Sequence, residues 1–186
     1  MDKYVYVDNS NVWIEGMYVA AVEQDLAFDI LDAHDRKITA NWKYDFGKLL
    51  TLVGGARNGL KKAVLFGSRP PQNDSLWEAA RQCGFEVTVE DRNRDNREKK
   101  IDTGIVSAMM RDVVTAVQNQ RVSETEMVLV AGDSDYVPAV KSLIGLGFKV
   151  TVCFWDHVSR ELESTASEFV SLNPYVEQIR RKLTAE

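Results

Sequence analysis

Five short runs rich in branched and aromatic residues alternate with stretches of helical periodicity, and that alternation restricts the chain to very few folds. The runs are 3–8 (KYVYVD), 61–67 (KKAVLFG), 85–91 (FEVTVED), 126–132 (EMVLVAG) and 148–155 (FKVTVCFW). They show little strict apolar–polar alternation, which is the pattern of strands buried on both faces. Helical patterns occupy 11–23, 45–53, 74–82, 101–118 and 136–145. A last one, 174–183, opens with Asn-Pro, an N-cap followed by proline at the first position. Strands and helices in this order call for a parallel sheet covered by helices on both faces, an α/β/α sandwich. The segment 24–44 breaks the rhythm; it reads as an insertion with its own short helix or as a loop that shapes one rim. No repeat, low-complexity tract or linker divides the 186 residues, so one domain with a sizeable core is expected.

Composition removes several function classes. No apolar run approaches the length of a membrane span, and the opening MDKYVYVD lacks a signal-peptide core, so an intracellular, cytoplasmic protein is expected. Cys83 and Cys153 read as buried free thiols of a reducing compartment. With only His34 and His157 in the chain, a His-rich metal centre is out of reach. The net charge of −5 argues against a broad basic face of the repressor type. It leaves room for nucleic acid as a substrate, because an acidic site that holds cations needs only local basic residues to receive phosphates.

The chemistry gathers where strands end. The first run closes on VDNSN, with Asp8, Asn9 and Asn11; the fourth closes on GDSD, with Asp133 and Asp135; KKIDTG places Asp102 in the first turn of the long helix. In an open α/β sheet, ligands bind beyond the carboxyl ends of the strands, where strand order reverses. Each aspartate alone is explained by a helix cap, an Asx-turn or a helix dipole. Together they would repel and raise one another's pKa values, a penalty that a hard dication removes. Magnesium suits such a set, since it takes oxygen ligands and is usually held by one or two carboxylates plus a substrate phosphate.

The segments YVDNSNVW, KKIDTGIVSAM and VLVAGDSDYVPAV, in that order and spacing, resemble the NYN domains, a branch of the PIN-like ribonuclease superfamily. The resemblance covers most of the chain, and GDSDY-P is its most specific part. It implies a five-stranded parallel sheet in the order 3-2-1-4-5 and a Mg2+- or Mn2+-dependent endoribonuclease that leaves a 5′-phosphate and a 3′-hydroxyl. By position, Asp8, Asp102 and Asp133 match the family's metal-binding acids, Asp135 the second acid of GDSD, and Asn11 the polar residue after the first. SRELESTASEFVSL is similar to the family's closing helix. Two positions depart from the pattern: Ala108 stands where many members carry a further Asp, and Ser167 replaces the Asp of a C-terminal A-D-x-F.

On this reading Asp8 and Asp133 are direct cation ligands, while Asp102 and Asp135 ligate through water or orient the attacking water. Asn9 and Asn11 bind phosphate or hold Asp8. The charged run RNRDNREKK leads into Asp102, so Arg94, Arg97, Lys99 and Lys100 become phosphate contacts, with Arg69 a weaker one. Trp13 and Trp155 stand near strand ends, where a ring serves either the core or a stacked base. The expected partner is RNA, single-stranded or with unpaired regions, met by a monomer or a homodimer. Two other readings stay open: a PIN-like module that grips RNA or protein without cutting, and a Mg2+-dependent phosphohydrolase of small molecules. The second usually wants an Asp two residues after the strand-end Asp, where VDNSN has Asn.

Overall fold

The protein is seen in a computed structural model that describes residues 1–68, 74–90 and 97–182. Strands β1 (Asp2–Asp8), β2 (Leu60–Ser68), β3 (Glu86–Glu90), β4 (Thr125–Val130), β5 (Lys149–Phe154) and β6 (Glu168–Ser171) form one sheet in the order β3-β2-β1-β4-β5-β6. Every neighbouring pair is parallel. All six residues of β4 are buried, and β5 is buried from its second residue on, as the unbroken apolar runs require. The helices are α1 (Asn9–Glu23), α2 (Ile30–Asp35), α3 (Phe46–Gly54), α4 (Asp74–Gln82), α5 (Arg97–Gln118), α6 (Val137–Gly145) and α7 (Arg160–Thr165).

Two expectations need correction, both at the C-terminal end. The sheet has six strands where five were expected, because the stretch expected as a closing helix divides. Ser159 caps the short α7, and Glu168–Ser171 then pairs with Thr151–Phe154 as an edge strand. Ser167 starts that pairing: its hydroxyl accepts the Val150 N–H at 3.1 Å, and its own N–H donates to the Val150 carbonyl at 2.9 Å. The Asn-Pro signal at 173–174 opens a 3₁₀ turn, Asn173–Tyr175, and no helix follows it through residue 182. That tail is held by backbone pairing with the start of α3: the Asp45 N–H donates to Ile179 and the Arg181 N–H to Lys43.

The segment 24–44 contains α2 and then wraps α1. Ala40 donates to the Met17 carbonyl at 3.0 Å, and the Trp42 indole N–H reaches the Val176 carbonyl at 3.0 Å. Trp42 and Trp155 meet edge to face over Gly16, where a Cβ would collide with both rings. Gly132 is equally confined, since a Cβ there would run into the Phe154 ring. Gly132→Ala should therefore destabilise the fold by about 1–3 kcal/mol, the usual cost of overpacking, and should displace Asp133 next to it. Chemical denaturation measures the first effect; an unchanged midpoint would show that Phe154 yields freely.

Candidate functional site

Strand order reverses between β1 and β4, where Asp8 ends β1 and Asp133 follows β4. Register sets their depth. Val7 pairs with Val130, so Asp8 lies level with residue 131, and Asp133 sits two residues further out. Asp8 is accordingly buried, at 7% exposure, whereas Asp133 is exposed.

Asp8 caps α1: its Oδ1 accepts the Asn11 N–H at 3.0 Å. Its Oδ2 faces the Tyr136 hydroxyl at 3.2 Å, and the same hydroxyl lies 2.7 Å from Asp102 Oδ1. One phenol proton therefore confronts two carboxylates. The two carboxylates share it, with the shorter contact on Asp102. Burial, reinforced by the charge of Asp102, pushes the Asp8 carboxyl up to about 6 against the hydrogen bonds that favour its ionised form. The Tyr136 phenol, fully buried beside both acids, is held well above its ordinary value and stays protonated.

Elsewhere, buried or half-buried acids carry cations of their own: Asp112 has the Lys62 ammonium at 3.0 Å, and Glu126 has Lys3 and Lys149 at 3.6 and 3.3 Å. The charged neighbour that acts most on Asp8 is another carboxylate. A buried acceptor of this kind fits a hard dication, and oxygen donors from carboxylates suit Mg2+ or Mn2+.

The other sequence candidates fall into place unevenly. Asp102 is the sixth residue of α5, not in its first turn, because the helix begins at Arg97 inside the charged run. A helix-dipole role thereby weakens, since the dipole's effect is confined to the first turn. Asp133 caps the 3₁₀ turn Ser134–Tyr136, accepting the Asp135 N–H at 3.2 Å. Among the described residues, the Asp8, Asp102 and Asp133 oxygens do not close to within 4.8 Å of one another as a set. Asp133 is exposed, whereas Asp8 is buried and Asp102 half-buried. Asp135 is exposed beside it and does not cap α6, whose cap residue, Tyr136, makes no side-chain cap.

Asn11 is a strut. Its Oδ1 accepts the Gly132 N–H at 2.8 Å, tying the end of β1 to the loop that carries Asp133. Asn9 is buried, and its Oδ1 accepts the Tyr44 hydroxyl at 2.6 Å. Arg97, Lys99 and Lys100 open α5 by their backbone. Arg94 and Arg69 lie outside the described residues. Trp155 is fully buried with its indole N–H on the Val12 carbonyl at 3.1 Å, so it is a core residue and not a base platform. Trp13 is half-buried and lines a cleft of about 330 Å³ with Asn9, Lys43, Tyr44 and Arg181. Ala108, at the position of the missing acid, is packed in the core.

Sequence reasoning missed Tyr136 as a working residue, although it stands inside the GDSDY-P element. It also missed Glu15, which lies two turns along α1 from Asp8 and meets both histidines of the chain.

The NYN domain model matches residues 5–173. The chain belongs to the NYN domain family. Membership places it among PIN-like domains of nuclease type, a family generally of ribonucleases that typically use divalent metals, and the parallel α/β architecture agrees. A crystal structure of a protein of unknown function from Vibrio parahaemolyticus is similar over 92% of this chain and 92% of its own, with a TM-score of 0.62 and 18% identity. At that identity the likeness speaks for the fold alone. No curated protein matches the sequence. Among the described residues, no helix of this NYN domain is long and apolar enough to cross a membrane.

Proposed function

We propose that this NYN domain is a Mg2+- or Mn2+-dependent endoribonuclease acting on single-stranded RNA or RNA with unpaired regions. The observation that carries the reading is the buried Asp8 carboxylate, set against Asp102 across a single phenol proton at the sheet's switch point. Asp8 and Asp102 would hold the cation, with Asp133 joining from the exposed end of β4. When bound, the cation activates a water and offsets charge on the phosphate and leaving oxygen.

The chain's own residues do the positioning. Tyr136 keeps the two carboxylates apart and oriented, and Asn11 fixes the Asp8 cap and the Gly132 loop in one motion. Asp135, exposed beside Asp133, would ligate the cation through water or orient the attacking water. With its carbonyl taken by Tyr44, Asn9 keeps its amide nitrogen as the donor for a phosphate oxygen. The cleft at Trp13, with Lys43 and Arg181 at its edge, offers an aromatic wall and two cations next to Asn9. An unpaired base can stack there while the backbone runs toward the acids.

The test is incubation of the purified protein with mixed single-stranded and hairpin RNA, with and without Mn2+. Cleavage only with the dication, giving 5′-phosphate ends, supports the proposal. RNA that is bound but never cut would support the non-catalytic module instead.

Replacing Arg94, Arg97, Lys99 and Lys100 together should weaken binding on every RNA sequence alike, because cations that meet phosphates carry no base information. The slope of log affinity against log salt should flatten by about 0.7 for each phosphate left without its cation. Turnover of saturating RNA should fall far less. An unchanged salt slope in fluorescence-anisotropy titrations would show that the RNA enters along another face, with the Lys43–Arg181 cleft next in line.

A further inference from the structure

Three side chains far apart in sequence converge beside α1. His34, from α2, and His157, from the turn after β5, both direct Nε2 at one oxygen, Oε2 of Glu15, at 2.9 and 2.7 Å. We propose that Glu15, His34 and His157 form a binding site for a transition-metal dication of the zinc type, separate from the aspartate centre and independent of the nuclease reading.

All three ligand atoms lie within 4.8 Å of one another, and each residue contributes one of the donor types that zinc accepts. Zinc–ligand lengths put tetrahedral donors about 3.3 Å apart, so the trio need open by only about half an ångström. Two imidazoles and one carboxylate are the protein ligands of zinc sites that keep an open position. Imidazole nitrogen disfavours Mg2+ and Ca2+, which sets this site apart from the oxygen-only centre at Asp8.

The state of the His34 nitrogen points the same way. Nε2 is sealed from solvent, yet despite its 2.9 Å approach to Glu15 it makes no aligned hydrogen bond. Together with His157 Nε2, it is one of two ring nitrogens turned on the same carboxylate oxygen, the arrangement that donors around a common centre take. The rings are also held in place. His34 packs edge-on to Tyr18 at 4.3 Å, His157 lies against Phe154 at 6.0 Å, and the two imidazoles stand nearly perpendicular at 5.5 Å. The side chains are half-buried, with exposures of 37% for His34, 22% for Glu15 and 21% for His157, so the cluster lies near the surface.

Such an ion would pin α2 and the 24–44 wrap to α1 and the β5 turn. That turn is bonded through the Ser159 N–H to the Gly132 carbonyl at 3.0 Å, one residue before Asp133. The site would therefore brace the wall of the aspartate centre without taking part in its chemistry.

The experiment uses the whole chain, freed of metal by a chelator, and titrates it with Zn2+ by calorimetry and with Co2+ by visible absorption. We expect one tight equivalent, a ligand-field band typical of low-coordinate Co2+, and a melting midpoint that rises with Zn2+. His34→Ala, His157→Ala and Glu15→Gln should each lower Zn2+ affinity by more than the roughly 10–100-fold that losing mere support of a ligand costs. Asp8→Asn should leave it unchanged. Melting in chelator checks that each variant folds, and Glu15→Gln keeps the test alive where an alanine variant does not. Absence of a stoichiometric equivalent in the wild type, or equal affinity in the His34→Ala/His157→Ala double variant, would overturn the proposal. So would loss of the equivalent in Asp8→Asn, which would place the ion at the aspartates.

Discussion

Asp8→Asn should raise the melting midpoint of the metal-free protein at pH 7 while abolishing its metal-dependent cleavage of RNA. The folded protein holds the Asp8 carboxyl at about 6 against a reference of 3.8. A raised folded pKa means that the folded state binds the proton more tightly. The stability this contributes is complete below the unfolded value and is lost as pH rises through the folded one. At pH 7 the ionised, buried carboxylate is thus a net liability on the order of 2–3 kcal/mol, at 1.36 kcal/mol per unit. The amide removes the charge and keeps the cap, because Asn serves as well as Asp at that position and still accepts the Asn11 N–H.

For a domain of this size the gain corresponds to roughly 4–12 °C. The gap between variant and wild type should open from about pH 4 to about pH 6 and stay constant above. Cleavage should fall at least about hundredfold, on the scale of losing one preorganised electrostatic partner. Differential scanning calorimetry across that pH range checks the first half. A variant equally destabilised at pH 4 and pH 7 would reduce Asp8 to a structural cap.

Tyr136→Phe should act in the opposite sense. The phenol supplies the proton that lies between Asp8 and Asp102, and its loss leaves buried carboxylate oxygens without it. We expect a loss of about 1–3 kcal/mol at pH 7, the cost of stranding a buried acceptor, and more than removal of one oxygen from a packed ring would give. The loss should shrink below pH 6, where Asp8 is neutral, and should shrink again on adding Mn2+, which does for those oxygens what the hydroxyl did. Denaturant titrations at pH 5 and pH 7, with and without Mn2+, separate this from packing. A penalty indifferent to both pH and metal would mean that the hydroxyl merely fills space.

The alternation of strands and helices and the place of Asp8 at the carboxyl end of β1 were legible because they depend on short-range signals, while the strand order came with the family resemblance. Apolar runs mark strands, and Asp after a run marks its carboxyl end. What was not legible depended on a competition between such signals. SRELESTASEFVSL carries a cap and helix formers, yet EFVS also suits an edge strand, and pairing with β5 decided it. Asn-Pro is as good an opening for a 3₁₀ turn as for a helix, and backbone bonds to Lys43 and Asp45 hold the tail out of helical form. Asp102 moved from the first turn to the second because α5 begins at Arg97, inside the charged run before it. Trp155 was ambiguous near a strand end, and only its bond to Val12 and full burial assign it to the core. The Glu15–His34–His157 cluster has no sequence signature at all. Its members are brought together by the 24–44 wrap and the turn after β5, whose paths no periodicity reports.

Whether Asp8 belongs to a cation centre that cuts RNA is decided by single-turnover cleavage of one labelled single-stranded RNA. The reaction is followed as Mn2+ is raised, for the wild type and for Asp8→Asn. We expect a wild-type rate that climbs from nothing with Mn2+ and saturates. The variant should bind the RNA equally in the absence of metal yet stay at background throughout. Cleavage that proceeds in chelator, or at wild-type rates in Asp8→Asn, would remove Asp8 and its cation from the chemistry.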